Sequence, residues 1–148
     1  MKNQKNKQGF TLIELLVVIA IIGLLATLSV VALNNARERA RDTRRVSDVK
    51  QIQTALELYY NTNNGYPTDE QGLDILGDNN LMNPVPTPPT PDDCNIGDAY
   101  GYTVNAEEDE YCLEYCLANN TGGIDAADTI FATESTIDGG ETCPHATE

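Results

Sequence analysis

A chain of 148 residues with nine Lys and Arg against 23 Asp and Glu carries a formal charge of −14 and has room for one modest domain. All nine cations lie at or before Lys50; only Glu14, Glu38, Asp42 and Asp48 among the acids share that part, so the remainder holds 19 acids and the lone His145. Such a remainder repels phosphate backbones and argues against direct nucleic-acid binding. One His, no nucleophile–base pair and no Gly-rich phosphate loop argue against an enzyme.

Residues 1–9 are short, polar and basic, with Lys2, Lys5 and Lys7, which places this leader on the cytoplasmic side of a membrane. Residues 10–33 are an apolar run of about 24 residues, or roughly 36 Å as a helix, enough to cross a hydrocarbon core of about 30 Å. A single acid, Glu14, interrupts it. A charge deep in lipid costs about 2.5–3.5 kcal/mol, so an acid there points to function. A proton relay is a poor reading, because one helix cannot line a path.

Residues 34–61 turn polar but keep the helical period. Ala36, Ala40, Thr43, Val46, Val49, Ile52, Leu56 and Tyr59 form one stripe suited to packing against a small domain. The first stop signal is Asn61-Thr62-Asn63-Asn64-Gly65 before Tyr66-Pro67, so the spacing predicts one helix over roughly 10–60. Arg37, Arg39, Arg41, Arg44 and Arg45 crowd the point where this helix would leave the membrane, with Arg44–Asp48 and Asp42–Arg45 at pairing distance along it. They read either as a solvated face near lipid head groups or as a collar for the acidic heads of neighbouring copies.

Residues 62–148 form an acidic head. Thr68-Asp69-Glu70-Gln71 has the pattern of a capping box and predicts a short helix through Leu73, Ile75 and Leu76, closed by Gly77. Pro84 to Pro91 must run as an extended strap, because proline lacks the amide hydrogen that helices and central strands need. Residues 99–104 and 111–117 read as a hairpin around a polar loop, with a third strand near 129–133. In the second strand Tyr111, Leu113, Tyr115 and Leu117 share the face better suited to the long helix; Cys112, Glu114 and Cys116 share the other. Cys94, Cys112, Cys116 and Cys143 read as two disulfides rather than a zinc site, with all three pairings open. The acids read as a solvated surface or, more sharply, as loops for a divalent cation.

Gly9-Phe10-Thr11-Leu12-Ile13-Glu14-Leu15 resembles the cleavage and methylation motif of type IV pilins and the related type II secretion pseudopilins. The resemblance runs on to Asn64-Gly65-Tyr66-Pro67. It implies an α+β, pilin-like fold: one long N-terminal helix, membrane-spanning in its first half, packed on a small antiparallel sheet. It also implies that a prepilin peptidase cuts between Gly9 and Phe10 and methylates the new amine of Phe10, and that Glu14 directs assembly. Partners are then that peptidase, membrane lipid before assembly, copies of the chain and related pilins, and an inner-membrane assembly platform. The chain would sit in the inner membrane with its N-terminus cytoplasmic and its head outside the cytoplasm, before entering an extracellular or periplasmic filament.

The expected function is that of a structural subunit of a type IV pilus or pilus-like filament. The alternative is a major-pseudopilin-like subunit of a short periplasmic pseudopilus for protein secretion, and a more distant one is a membrane-anchored binding module that never polymerises. Tyr66-Pro67-Thr68-Asp69-Glu70-Gln71-Gly72-Leu73 resembles the secretion branch, whereas the Asn-Pro-Trp-Gly element of that branch is missing from a chain without Trp. No cofactor is required. Residues 120–128 resemble that branch's calcium loop, which implies Asp125 and Asp128 as calcium ligands.

Overall fold

The computed structural model describes residues 9–91, 94, 97–137 and 143. Lys2, Lys5, Lys7 and His145 lie outside the described residues. The elements are α1 (Leu12–Asn63), α2 (Asp74–Asp78), β1 (Gly101–Val104), β2 (Tyr111–Leu117) and β3 (Ala127–Ala132). The chain divides into two compact units, Met1–Ala36 and Arg37–Glu148.

In the first unit α1 has no core to bury. Its large apolar side chains from Phe10 to Leu33 are 47% to 86% exposed, on every side of the helix. A helix apolar all round is matched to lipid or to other helices, not to water. α1 holds a stretch apolar enough to cross a membrane, with mean hydropathy 2.9. Thr27 and Ser29 donate their hydroxyls to the carbonyls of Leu24 and Leu25, both at 2.8 Å, so these polar groups make no demand on a partner.

In the second unit α1 continues without a break, there being no proline before Pro67. It lies against an antiparallel sheet of order β1-β2-β3. Val49, Ile52, Ala55, Leu56 and Tyr59 from α1 meet Tyr111, Leu113, Tyr115 and Leu117 from β2, with Leu76 of α2, Ile130 and Ala132 filling the rest. A fully buried Leu or Ile contributes about 1.5–3 kcal/mol, so this seam holds the head together. The tyrosines interlock at one end of it: the Tyr66 ring meets Tyr60 at 4.7 Å and the edge of Tyr111 at 4.6 Å.

The hairpin β1–β2 pairs Gly101 with Glu114 and Val104 with Tyr111. Its loop is tied by Asn105, whose Oδ1 accepts from the amides of Asp109 and Glu110 at 3.0 and 3.1 Å. β3 pairs with β2 and starts at Ala127, two residues before the expected position. Both faces of β2 are covered except at Glu114. The apolar face packs on α1, and the cysteines of the other form disulfides Cys94–Cys116 and Cys112–Cys143.

The structure departs from the expected stripe and cap at two points. Ala36, Ala40 and Thr43 are exposed, and the upper part of the buried face is instead Asp42, Arg45 and Asp48. The capping box forms: Thr68 N donates to Gln71 Oε1 at 3.0 Å and Gln71 N to Thr68 Oγ1 at 3.3 Å. It closes a turn rather than opening the helix. Gly72 takes φ +58°, which ends that turn, and α2 starts two residues later with no side-chain cap. The proline strap lacks helix and strand as expected, with Pro88 and Pro89 buried.

Candidate functional site

The motif residues gather at the start of α1. Gly9 and Phe10 precede the helix, exposed, and nothing lies within 4 Å of where a Gly9 side chain would begin. Thr11 and Glu14 close a reciprocal cap. Glu14 Oε2 accepts from the Thr11 amide at 2.8 Å and the Thr11 hydroxyl at 2.7 Å, and Thr11 Oγ1 accepts from the Glu14 amide at 3.3 Å. Sequence reasoning missed this arrangement, although Thr11-x-x-Glu14 before an apolar run is its signature. The carboxylate that interrupts the apolar run thus sits one turn inside the helix, beside the orphan amides and the positive end of the helix dipole.

A second polar cluster pins the sheet to α1. Asp42 and Arg45 are both 0% exposed and pair at 2.8 Å. Asp42 also receives the amides of Ala118 and Asn119 at 3.1 and 2.9 Å and the Asn119 side-chain amide at 3.0 Å. The carboxylate therefore satisfies the turn that leaves β2. Next along α1, Asp48 accepts from the Tyr100 hydroxyl at 3.0 Å and pairs with Arg44 at 3.6 Å. Burial, with Asp48 adding to it, holds the Tyr100 hydroxyl well above the usual tyrosine range. The basic cluster is thus not uniformly solvated: Arg45 belongs to the interior, while Arg37, Arg39 and Arg44 stay exposed. Spacing alone predicted the pairs but not that the head would supply three N–H donors to Asp42 and so draw it inward.

Of the two residues implied as calcium ligands, the Asp125 carboxylate is tied to the Asn120 side-chain amide at 2.7 Å, and Asn120 in turn accepts from Ala126 N at 3.0 Å. The Asp128 side chain lies outside the described residues. Among the described residues no three His, Cys, Asp or Glu side chains gather to hold a metal. A calcium ion needs about six to eight oxygens, so the described carboxylates do not fit it without backbone carbonyls or water.

Two family models match the chain. The prokaryotic N-terminal methylation motif covers residues 4–30, and type II secretion system protein G covers residues 32–132, more than half of the chain. The chain belongs to the type II secretion system protein G family. Among relatives named type II secretion system core protein G, that of Dickeya chrysanthemi is 35% identical over 116 residues, 78% of this chain and 71% of the relative. That of Escherichia coli K12 is 35% identical over 119 residues, 80% of this chain and 77% of the relative. That of Aeromonas hydrophila is 46% identical over 84 residues, 56% of this chain, and the match spans only 59% of the relative's length. No solved structure matches the chain.

Family membership corrects the order of the two filament readings. The secretion pseudopilin, first held as the alternative, fits better than the pilus. The missing Asn-Pro-Trp-Gly element argued against the secretion branch, but the family match over residues 32–132 holds without it.

Proposed function

We propose that the chain is a structural subunit of the type II secretion pseudopilus, a short periplasmic filament, and not an enzyme. A prepilin peptidase cuts it between Gly9 and Phe10 and methylates the Phe10 amine. Before assembly it is held in the inner membrane by residues 10–33, leader cytoplasmic and head periplasmic; it then joins copies of itself and related subunits through an inner-membrane assembly platform. The observation that carries the reading is an all-round exposed apolar helix, preceded by Gly9-Phe10, that carries one carboxylate, Glu14, in its first turn.

Cleavage adds a positive amine at Phe10 next to that carboxylate. Among packed apolar helices a neighbour displaced along the axis brings its Phe10 amine to Glu14, and leaving one partner of such a buried pair alone costs about 3–5 kcal/mol. Repeating one contact that does not close a ring gives an open filament. The test separates processing from assembly. Gly9→Val is expected to block cleavage, whereas Glu14→Val is expected to be cut normally and to form no filaments; normal filament yield from Glu14→Val overturns the pairing. Mass spectrometry of purified filaments reads methylated Phe10 directly. A calcium role for Asp125 and Asp128 stands as a separate proposal, and an unchanged melting temperature at about millimolar calcium removes it.

A further inference from the structure

We propose that the stagger between neighbouring heads in the filament is set by charge: the arginine collar on α1 of one copy docks against the acidic hairpin end of a second copy. The inference rests on the filament reading above and adds the surface and the partner.

The collar and its complement lie at opposite ends of the same compact unit. From Arg37 to Lys50, α1 carries six cations against three acids, two of which, Asp42 and Asp48, are turned inward. Arg37 and Arg44, seven residues apart, share one flank of α1; Arg39 and Lys50, eleven apart, share the other. All four are exposed, and Arg37 and Arg39 make no ion pair among the described residues. From Arg44, at the middle of the collar, α1 runs 19 residues further, about 29 Å, to its end at Asn63.

The hairpin loop is fastened to that end. Tyr66 N donates to Glu108 O at 2.8 Å, and a side chain on Gly65 would come within 3.0 Å of Glu108 Oε2. Asp69 Oδ1 accepts from Val104 N at 2.9 Å, which brings the Asp69-Glu70 turn to the same place. Glu107, Glu108, Asp109 and Glu110 stand exposed there, and the chain has no Lys or Arg after Lys50 to neutralise them.

A second copy of this chain is the occupant that the charges select. Two heads side by side in register set acid end against acid end. Moving one along the axis by about the collar-to-hairpin distance sets acids against arginines. Phe10 and Glu14 pair at an offset of only about 6 Å, so the docked copy is a different neighbour in the filament from the one whose amine meets Glu14. Attraction between exposed charges decays over about 8 Å in physiological salt, so it rewards a narrow range of offsets rather than general adhesion. The contact is head-to-tail and uses different surfaces on the two copies, so it propagates instead of closing. An anionic membrane surface would also attract the collar, but it gives the acidic end no partner.

The test is a charge exchange in the full chain, in cells that assemble the filament. Arg37→Glu/Arg39→Glu and Glu107→Arg/Glu110→Arg are each expected to be cleaved normally and to lower the yield of sheared filaments about tenfold, because each replaces attractions by repulsions. The fourfold variant, carrying both exchanges, is expected to recover to within about threefold of the unaltered chain. All four positions are exposed, and an unchanged unfolding curve for each variant is expected. A fourfold variant no better than either double overturns the proposal. So do double variants that assemble at full yield, a result that leaves the Glu14 pairing standing. If Arg37→Glu/Arg39→Glu loses binding to phosphatidylglycerol vesicles and the hairpin exchange does not rescue assembly, the collar's partner is lipid and the proposal is refuted.

Discussion

Asp42→Ala removes a carboxylate that holds both Arg45 and the turn leaving β2. The pair it breaks lies at 2.8 Å between side chains with no exposure, so Arg45 loses the Asp42 carboxylate where water does not reach. Such a loss costs about 3–5 kcal/mol. The amides of Ala118 and Asn119 lose their acceptor as well. They are only part-buried, so water replaces much of that loss and the total stays near about 4 kcal/mol. Against a total stability of about 5–15 kcal/mol, that removes between about a quarter and four-fifths of it.

Urea unfolding of the full chain in detergent, followed by tyrosine fluorescence, reads the change. Arg45→Met should cost less, because Asp42 keeps its three N–H donors. The double variant should then be more stable than the sum of the single losses predicts, with a coupling of about 1–3 kcal/mol. A cost below about 1 kcal/mol for Asp42→Ala, or single effects that add within about 0.5 kcal/mol, refutes the view that this pair pins sheet to helix.

Gly101 is required by its partner across the hairpin, since a side chain there would begin 2.8 Å from Glu114 Cβ. Gly101→Ala is expected to cost about 1–3 kcal/mol in the same unfolding assay. Glu114→Ala should not relieve it, because the colliding atom remains; Glu114→Gly should. Removing either disulfide by paired Cys→Ser changes is expected to cost about 2–4 kcal/mol. The loops span 22 and 31 residues, so the two losses should agree within about 0.5 kcal/mol if chain entropy dominates. Burial, aided by Glu57 at Tyr66 and Asp48 at Tyr100, raises the hydroxyls of Tyr66, Tyr100, Tyr102 and Tyr111 above the ordinary range. An unfolded tyrosine loses its proton near about pH 10 while these keep theirs, so stability is full below that pH and falls above it. Tyrosinate absorbance from these residues at about pH 10 without unfolding contradicts this.

The start of the chain was legible because its signals are local. An unbroken apolar run, a Gly before an aromatic and one misplaced acid can be read without knowing what they touch, and the lower stripe of Val49, Ile52, Leu56 and Tyr59 follows from period alone. The alternation of β2 likewise placed Tyr111, Leu113, Tyr115 and Leu117 toward α1. Even so, the Thr11–Glu14 cap is local and was overlooked. Which filament the head serves was harder, since head composition pulled toward the pilus while extended similarity favours the secretion family.

What the residues alone determined is the part governed by spacing: a helix too apolar and too long for a small core, an acidic head and two cysteine bridges without their pairing. The tertiary structure decided what depends on groups distant in the chain. Asp42 and Arg45 look like surface charges until Ala118 and Asn119, more than seventy residues away, offer donors that offset desolvation of the carboxylate. Thr68 and Gln71 form their box but no helix, because backbone conformation at Gly72 intervenes. The partners of Cys112 and Cys116 are Cys143 and Cys94, 31 and 22 residues away, and follow from which of these two cysteines meets each on the outer face of β2. Burial and partner choice are properties of the assembled chain, and no period in the sequence encodes them.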